Sequence, residues 1–403
     1  MKRKVLILSG AHICHNPRVV KEADALSEAG TEVEVLGMNF LPHLIEEDRE
    51  LVRGKMWKYT AVSGPLDPGM GRKSFRYRLT RRLANLLAEK AGVQSSAQLG
   101  GWRQDLLGEA LARRADLTVA HSAATLWVAR ELMKRGRKVA VDFEDWFSRE
   151  HENAPWHANK VVASLEKEVL AGASHATCTS EAMAEAIGKV YGRRPEVIYN
   201  AFPLAEAPEP AAEPGPEGPK MLWISQALGP GRGLELLAEA LGHCEPKFTV
   251  TLVGNPQGNY AKKLYSRFPS AWRKKVKIQK QLKNSEVLKI IANHHVGLAL
   301  EQNNTDNHDL TVSNKLLQYL LCGLAVAATD TAGQKEIAIQ AGDAIQVCGT
   351  EDPAGLAKIL YGWAANPASL QKARALARKL ALEKYCWEIE AKKMPALSPP
   401  KSS

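Results

Sequence analysis

What most constrains this chain is an alternation of short apolar runs with amphipathic helical stretches, completed twice. VLIL (5–8) leads into an amphipathic stretch from Pro17 to Ala29 and then to VEVLG (33–37). LTVA (117–120), a helix to Arg135 and VAVDF (139–143) repeat the pattern. A helix around 158–172, the strand-like HATCTS, a helix from Glu181 and VIYNA (197–201) extend it. Strands separated by helices pair in parallel, so each half is an α/β layer structure. Between the halves, PLAEAPEPAAEPGPEGP (203–219) has no apolar period and predicts a linker. Beyond it come MLWIS, a helix from Gly233 to Leu241, FTVTLVG, VGLALE, a helix from Ser313, and LAVAATD. The predicted organisation is a first domain over 1–202, the linker 203–219 and a second domain over 220–367. A helical stretch over 368–394 is long enough to cross back to the first domain, and a disordered tail follows over 395–403. Two such halves place a ligand cleft between them, at the carboxyl ends of the strands.

Composition narrows the classes. No run in the 403 residues approaches the roughly 18 apolar residues of a membrane span. The N-terminal apolar core, Val5 to Leu8, is too short for a signal peptide and predicts a first strand in a cytoplasmic protein. Six cysteines show no paired spacing, which excludes a disulfide or zinc framework. The net charge of +10 is uneven: residues 51–100 hold ten Lys/Arg against two Asp/Glu. A local block of that kind points to an anionic partner. It carries no nucleic-acid motif, so no nucleic acid is expected. No Gly-x-Gly-x-x-Gly follows the first strand, which argues against a nicotinamide dehydrogenase.

Four loops fall where the cleft needs chemistry. In GAHICHNPR (10–18), Gly10 lets backbone approach a ligand, His12, His15 and Arg18 offer polar contacts, and Asn16 before Pro17 is a helix cap. In LGPGRGLELLAEAL (228–241), Gly229 and Gly231 open a turn that exposes N–H groups to phosphate, and Arg232 adds positive charge. In TVSNKLLQYLLCGLAVAATD (311–330), Ser313 as helix cap puts Asn314 and Lys315 in the first turn. A cation there opposes the helix dipole unless an anion is bound nearby. In VDFEDWFSRE (141–150), Asp142, Glu144 and Asp145 fit a divalent-metal site, an acceptor base, or carboxylates at a solvated strand end. His121, ending the preceding strand, is a further candidate contact.

Taken in order, these segments resemble family 4 of the GT-B glycosyltransferases. HNPRVVKEADALSEAGTEVEVL is similar to the family's opening strand, loop, helix and strand. AHSAATLWVA, LEKEVLAGASHATCTSEAMAEAI and PEVIYNAF follow its first-domain order. GPGRGLELLAEAL and SNKLLQYLLCGLAVAATDTAGQKEI resemble its donor-binding loops, and YCWEIEAKK its Trp-centred final helix. The resemblance implies two Rossmann-like domains facing a cleft, with a nucleotide-diphosphate sugar, UDP- or GDP-linked, as co-substrate and no other cofactor. It implies catalytic roles for Arg232, Lys315, Glu144 and Asp145. Donor contacts fall to Gly10, Gly229, Gly231, Gly254, Asn314, Gln318 and Glu301, and acceptor contacts to His12, His15, Arg18 and His121. Transfer with retention, no bound metal, and a glycan, lipid-linked saccharide or other cell-envelope precursor as acceptor are implied with them.

The chain departs from the pattern in two places. The family's pair of glutamates, eight positions apart, falls on Leu310 and Gln318, with Glu301 or Asp309 as stand-ins for the first. Glu144 stands where many relatives have His. The alternative these departures raise is a catalytically degenerate protein that binds a nucleotide sugar without turnover. In MGRKSFRYRLTRRLANLLAEK (70–90), Phe75, Leu79, Leu83 and Leu86 share one helical face beside Arg72, Lys73, Arg76, Arg78, Arg81 and Arg82. Two readings fit: the leucines pack on the sheet, or the helix docks on anionic membrane or a phosphorylated lipid-linked acceptor.

Overall fold

The structure, a computed structural model, describes residues 2–63, 71–150, 158–282 and 284–394. The predicted tail 395–403 and the side chains of Arg72 and Lys73 lie outside the described residues. The chain forms two compact units: Met1–Thr179, Met183–Ile198 and Ala391–Ser403 make unit one, and Ser180–Ala182 with Tyr199–Glu390 make unit two.

Unit one begins with β1 (Lys4–Leu8), α1 (Pro17–Glu28), β2 (Glu32–Asn39), α2 (Ile45–Val52), β3 (Lys58–Ser63) and α3 (Gly71–Ala91). It continues through α4 (Arg103–Ala112), β4 (Leu117–His121), α5 (Ala123–Met133) and β5 (Val139–Phe143). α6 (Asn159–Gly172), β6 (His175–Cys178), α7 (Glu181–Tyr191) and β7 (Glu196–Val197) complete it. The strands lie in the order β3-β2-β1-β4-β5-β6-β7, paired in parallel. The order reverses between β1 and β4, where an open parallel sheet leaves its crevice. VIYNA was expected to be a strand over 197–201, but β7 ends at Val197.

Unit two holds β8 (Lys220–Leu228), α8 (Leu234–Ala240), β9 (Thr249–Pro256), α9 (Tyr260–Arg267), β10 (Val276–Gln279) and α10 (Asn284–Ala292). Then come β11 (Val296–Ala299), α11 (Asp306–Leu310), α12 (Asn314–Leu321), β12 (Ala325–Thr329), α13 (Ala332–Ala341) and β13 (Ile345–Cys348). Its sheet runs β10-β9-β8-β11-β12-β13, with the reversal between β8 and β11. The last helices are α14 (Pro353–Ala365), α15 (Pro367–Glu383) and α16 (Trp387–Glu390). The predicted single stretch over 368–394 is thus broken at 384–386, and residues from Ala391 onward belong to unit one.

Three helices, α1, α14 and α15, start by one device, a short polar cap followed by proline. The side chains of Asn16, Asp352 and Asn366 accept from the N–H groups of Val19, Gly355 and Ser369, at 3.1, 2.8 and 3.0 Å. Pro17, Pro353 and Pro367 follow them, in the one helical position where a missing N–H costs nothing. The segment 203–219, expected to be a free linker, is held down on unit two. His295 Nε2 reaches the Ala212 carbonyl at 3.0 Å, and the Arg374 guanidinium donates to the carbonyls of Ala211 and Ala212.

Candidate active site

In unit two, three residues converge at the carboxyl ends of β8 and β11. Lys315 Nζ lies 2.6 Å from Glu301 Oε1 and 5.4 Å from the centre of the Trp223 ring. The same buried Trp223 donates its indole N–H to the Arg232 carbonyl at 3.2 Å, and Arg232 Nη1 donates to Ser225 Oγ at 3.2 Å. One aromatic side chain on β8 therefore sets both cationic residues. Burial works to raise the Glu301 pKa, but the Lys315 ammonium overrides it and holds the carboxyl below its ordinary value. Two cations against one carboxylate leave a positive charge uncompensated within this trio.

Ser313 stands at the start of α12, as expected, but makes no cap bond. Its buried Oγ has no partner, and neither does Oγ1 of Thr331 at the start of α13. Ser313 precedes Lys315 by two residues, and a buried hydroxyl left unpaired beside a cation suits a ligand with acceptor oxygens. Asn314 is exposed and accepts from Asn200 Nδ2 at 2.8 Å, and Gln318, about one turn further along α12, is half-buried. Asp309, one expected stand-in for the missing glutamate, instead accepts from the Ala332 N–H at 3.1 Å, leaving Glu301 as the carboxylate beside Lys315.

The glycines divide by what confines them. Gly231 has φ +70°, and its carbonyl accepts from Asn304 Nδ2 at 3.1 Å. Gly229 is buried and closed in by the Gln257 side chain. Gly254, on β9, faces β8: a Cβ there would lie 2.9 Å from the Ser225 carbonyl oxygen and 3.3 Å from the Leu228 nitrogen, beside the bulge. Gly233 and Trp223 escaped the sequence reading. Gly233, at φ +74°, could have been found as the third glycine of the turn; Trp223 looked like ordinary strand core.

In unit one the carboxyl ends of β4 and β5 carry a buried polar cluster. His121, with 0% side-chain exposure, places Nε2 2.7 Å from Glu22 and Nδ1 2.7 Å from Glu144, with Asp142 at 3.3 Å. Both ring nitrogens face carboxylates, so both carry hydrogen and the ring is an imidazolium. Burial opposes that charge, but the Glu22 carboxylate and the bonds from Glu144 and Glu22 push the His121 pKa up to about 10. Arg18 clamps Asp142 through Nε and through Nη2 at 3.1 Å, and donates from Nη1 to the Ile198 carbonyl at 2.9 Å. Thr177 Oγ1 adds a bond to Asp142 at 2.8 Å. Burial raises the Asp142 pKa and the Arg18 and His121 charges lower it further, so it stays ionised.

Of this cluster Glu144 is the member nearest solvent, with 21% side-chain exposure, and Asn16 Nδ2 donates to it at 3.0 Å. Asp145, next in sequence, is half-buried. The carboxylates expected as one acidic group thus separate: Asp142 is a buried ion-pair partner, while Glu144 is presented outward on a cationic support. Glu22, His121 and Asp142 bring donor atoms within 4.8 Å of one another, the spacing a metal would need. His121 already spends both nitrogens on carboxylates, and Asp142 both oxygens on Arg18 and Thr177, so the trio does not fit a resident cation.

Several expected acceptor contacts have other work. His12 is buried, its Nδ1 bonded to Asp48 at 2.7 Å and its Nε2 accepting from the N–H groups of Phe40 and Leu41, so it braces its loop. Arg18 and His121 are buried, with their polar atoms bonded to the Asp142, Glu22 and Glu144 carboxylates and the Ile198 carbonyl. Gly10, expected against the donor, has φ +67°, and a Cβ there would lie 2.5 Å from Ser122 Oγ, so it lets the β1 and β4 loops approach. His15 is exposed.

Residues 15–201 match the family model described as glycosyl transferase 4-like domain, and residues 232–395 the one described as glycosyl transferase-like. The chain belongs to the family 4-like GT-B glycosyltransferases. Among solved structures with the same fold is sucrose-phosphate synthase from Thermosynechococcus elongatus, at 15% identity and TM-score 0.74, covering 98% of this chain and 97% of that one. Anabaena HepE in complex with UDP-glucose matches at 16% identity and TM-score 0.66, covering 97% of each chain. S. aureus TarM, in a complex that includes UDP, matches at 9% identity and TM-score 0.71, covering 98% of this chain and 99% of that one. Comparison with curated proteins by sequence gives no match. In this glycosyltransferase no described helix is long and apolar enough to cross a membrane.

Proposed function

We propose that this glycosyltransferase takes a nucleotide-diphosphate sugar on unit two and transfers the sugar with retention to a glycan or lipid-linked acceptor on unit one. The donor assignment rests on the Arg232, Lys315 and Glu301 trio set around Trp223. A diphosphate supplies the negative charge this pocket lacks, and fixed cations stabilise the charge that grows on it as the sugar leaves. UDP is the first base to test, because the HepE and TarM complexes contain UDP. On unit one, Glu144 faces acceptor hydroxyls while protonated His121 holds its carboxylate in place. With both cations on the diphosphate the reaction needs no divalent metal.

The test is release of UDP from UDP-sugars, with and without acceptor, in buffer containing EDTA. Turnover should persist in EDTA and fall on the order of 100-fold in Arg232→Ala and in Lys315→Ala, the scale for loss of one preorganised charge-stabilising group. Turnover that requires added manganese, or that is unchanged in both variants, would contradict the assignment.

A further inference from the structure

Helix α3 turns the wrong side outward for a helix that only covers a sheet. The face it packs on unit one is small: Ala84 and Ala88 are buried, and Tyr77 lies over Gly101, where a Cβ would come within 2.2 Å of the ring. The Tyr77 hydroxyl donates to Asp105 at 2.9 Å. At 3.6 residues per turn, Phe75, Leu79, Leu83 and Leu86 fall on the opposite side. They are 61%, 45%, 52% and 40% exposed, which removes the reading that these leucines pack on the sheet. Arg76 borders this stripe on one flank, and Arg82 and Arg78 on the other. Arg76, Arg78, Arg81 and Arg82 make no ion pair among the described residues. Arg78, Arg81 and Arg82 also line a hollow of about 390 Å³ with Asn85, Leu86 and Glu89.

We infer that α3 is an in-plane membrane helix: its apolar stripe enters the headgroup–acyl boundary of an anionic bilayer, and its arginines hold lipid phosphates on both sides. An exposed apolar stripe is costly in water and is covered by something. Flanking arginines lay their alkyl stems along a bilayer's apolar edge and lift the guanidinium groups to the phosphates. A second copy of this helix is a poor cover, because it would set unpaired arginines against unpaired arginines. Surface binding of this kind is independent of the transfer chemistry, since neither the stripe nor the arginines belong to the two clusters described above.

Co-sedimentation of the full chain with phosphatidylcholine vesicles, and with vesicles also containing phosphatidylglycerol, tests it. Binding should favour the anionic vesicles by on the order of tenfold or more and weaken as salt is raised. It should fall roughly 100-fold in the combined variant Arg76→Gln, Arg78→Gln, Arg81→Gln, Arg82→Gln, and also be lost in Leu79→Ser with Leu83→Ser. These positions are exposed, so the fold should survive; the wild-type salt titration stands as a second measurement if either variant misfolds. Equal binding to both vesicles, no binding to either, or a dimer abolished by the leucine changes would overturn the inference. Donor hydrolysis in vesicle-free buffer should be unchanged in both variants. Its absence from wild type, with vesicle binding intact, would count against the proposed donor and leave α3 as assigned.

Discussion

Around His121 stand three carboxylates, Glu22, Asp142 and Glu144, and the Arg18 guanidinium pairs with Asp142. The imidazolium is therefore a structural charge, and removing it leaves carboxylates facing one another in a buried space. Its pKa, about 10 against an ordinary 6.5, gives a sign to the pH dependence. A raised pKa stabilises the fold fully below about pH 6.5, and the contribution is lost as pH climbs through about 10. His121→Gln should thus be less stable than wild type by on the order of a few kcal/mol near pH 6, with the gap closing toward pH 10. Urea unfolding of both proteins across that range reads it; a gap that stays constant or widens with pH would show that His121 is neutral. His121, Asp142 and Glu144 stood out in the sequence one by one, but their contact with Glu22 did not. Glu22 lies on α1, and the placement of β1 beside β4 in the sheet brings that helix to His121.

Loops and helices show where pattern reading succeeds. Alternation of apolar runs marks strands and helices because each element buries one face, and the cap-plus-proline starts are local chemistry visible in three or four letters. The same reading cannot tell which way an apolar stripe faces. The leucines of α3 have the spacing of a core face and lie outside it. Nor can it rank glycines. Gly231 and Gly233 both have positive φ, but a Cβ on Gly231 meets only the end of the Asn304 side chain, at 2.7 Å, whereas on Gly233 it meets the Leu300 carbonyl oxygen at 2.1 Å. Gly233→Ala should cost roughly 2–3 kcal/mol, combining an unfavourable φ with a backbone clash, and Gly231→Ala about 1 kcal/mol. Thermal melts of the two variants compare them; an equal or reversed order would mean that the turn is held differently.

Each unit is a parallel α/β sheet whose strand order reverses once, and each gathers its polar residues at the carboxyl end near that reversal. The doubled architecture was readable because it repeats across the whole chain, and a repeated pattern survives local errors such as the shortened β7 or the break before α16. The division of labour was less readable. Arg232 and Lys315 stood out as cations in glycine-rich or cap positions, but the partner that sets them, Trp223, resembles any buried strand residue. As proposed, unit two binds a nucleoside diphosphate through these two cations, without metal. Thermal unfolding in EDTA, with UDP and with GDP, tests it most directly. One of them, at a hundred times its Kd, should stabilise the wild type by about 2.7 kcal/mol, and the shift should be largely lost in Arg232→Ala and in Lys315→Ala. No stabilisation by either nucleotide, or the same shift in wild type and both variants, would contradict the account.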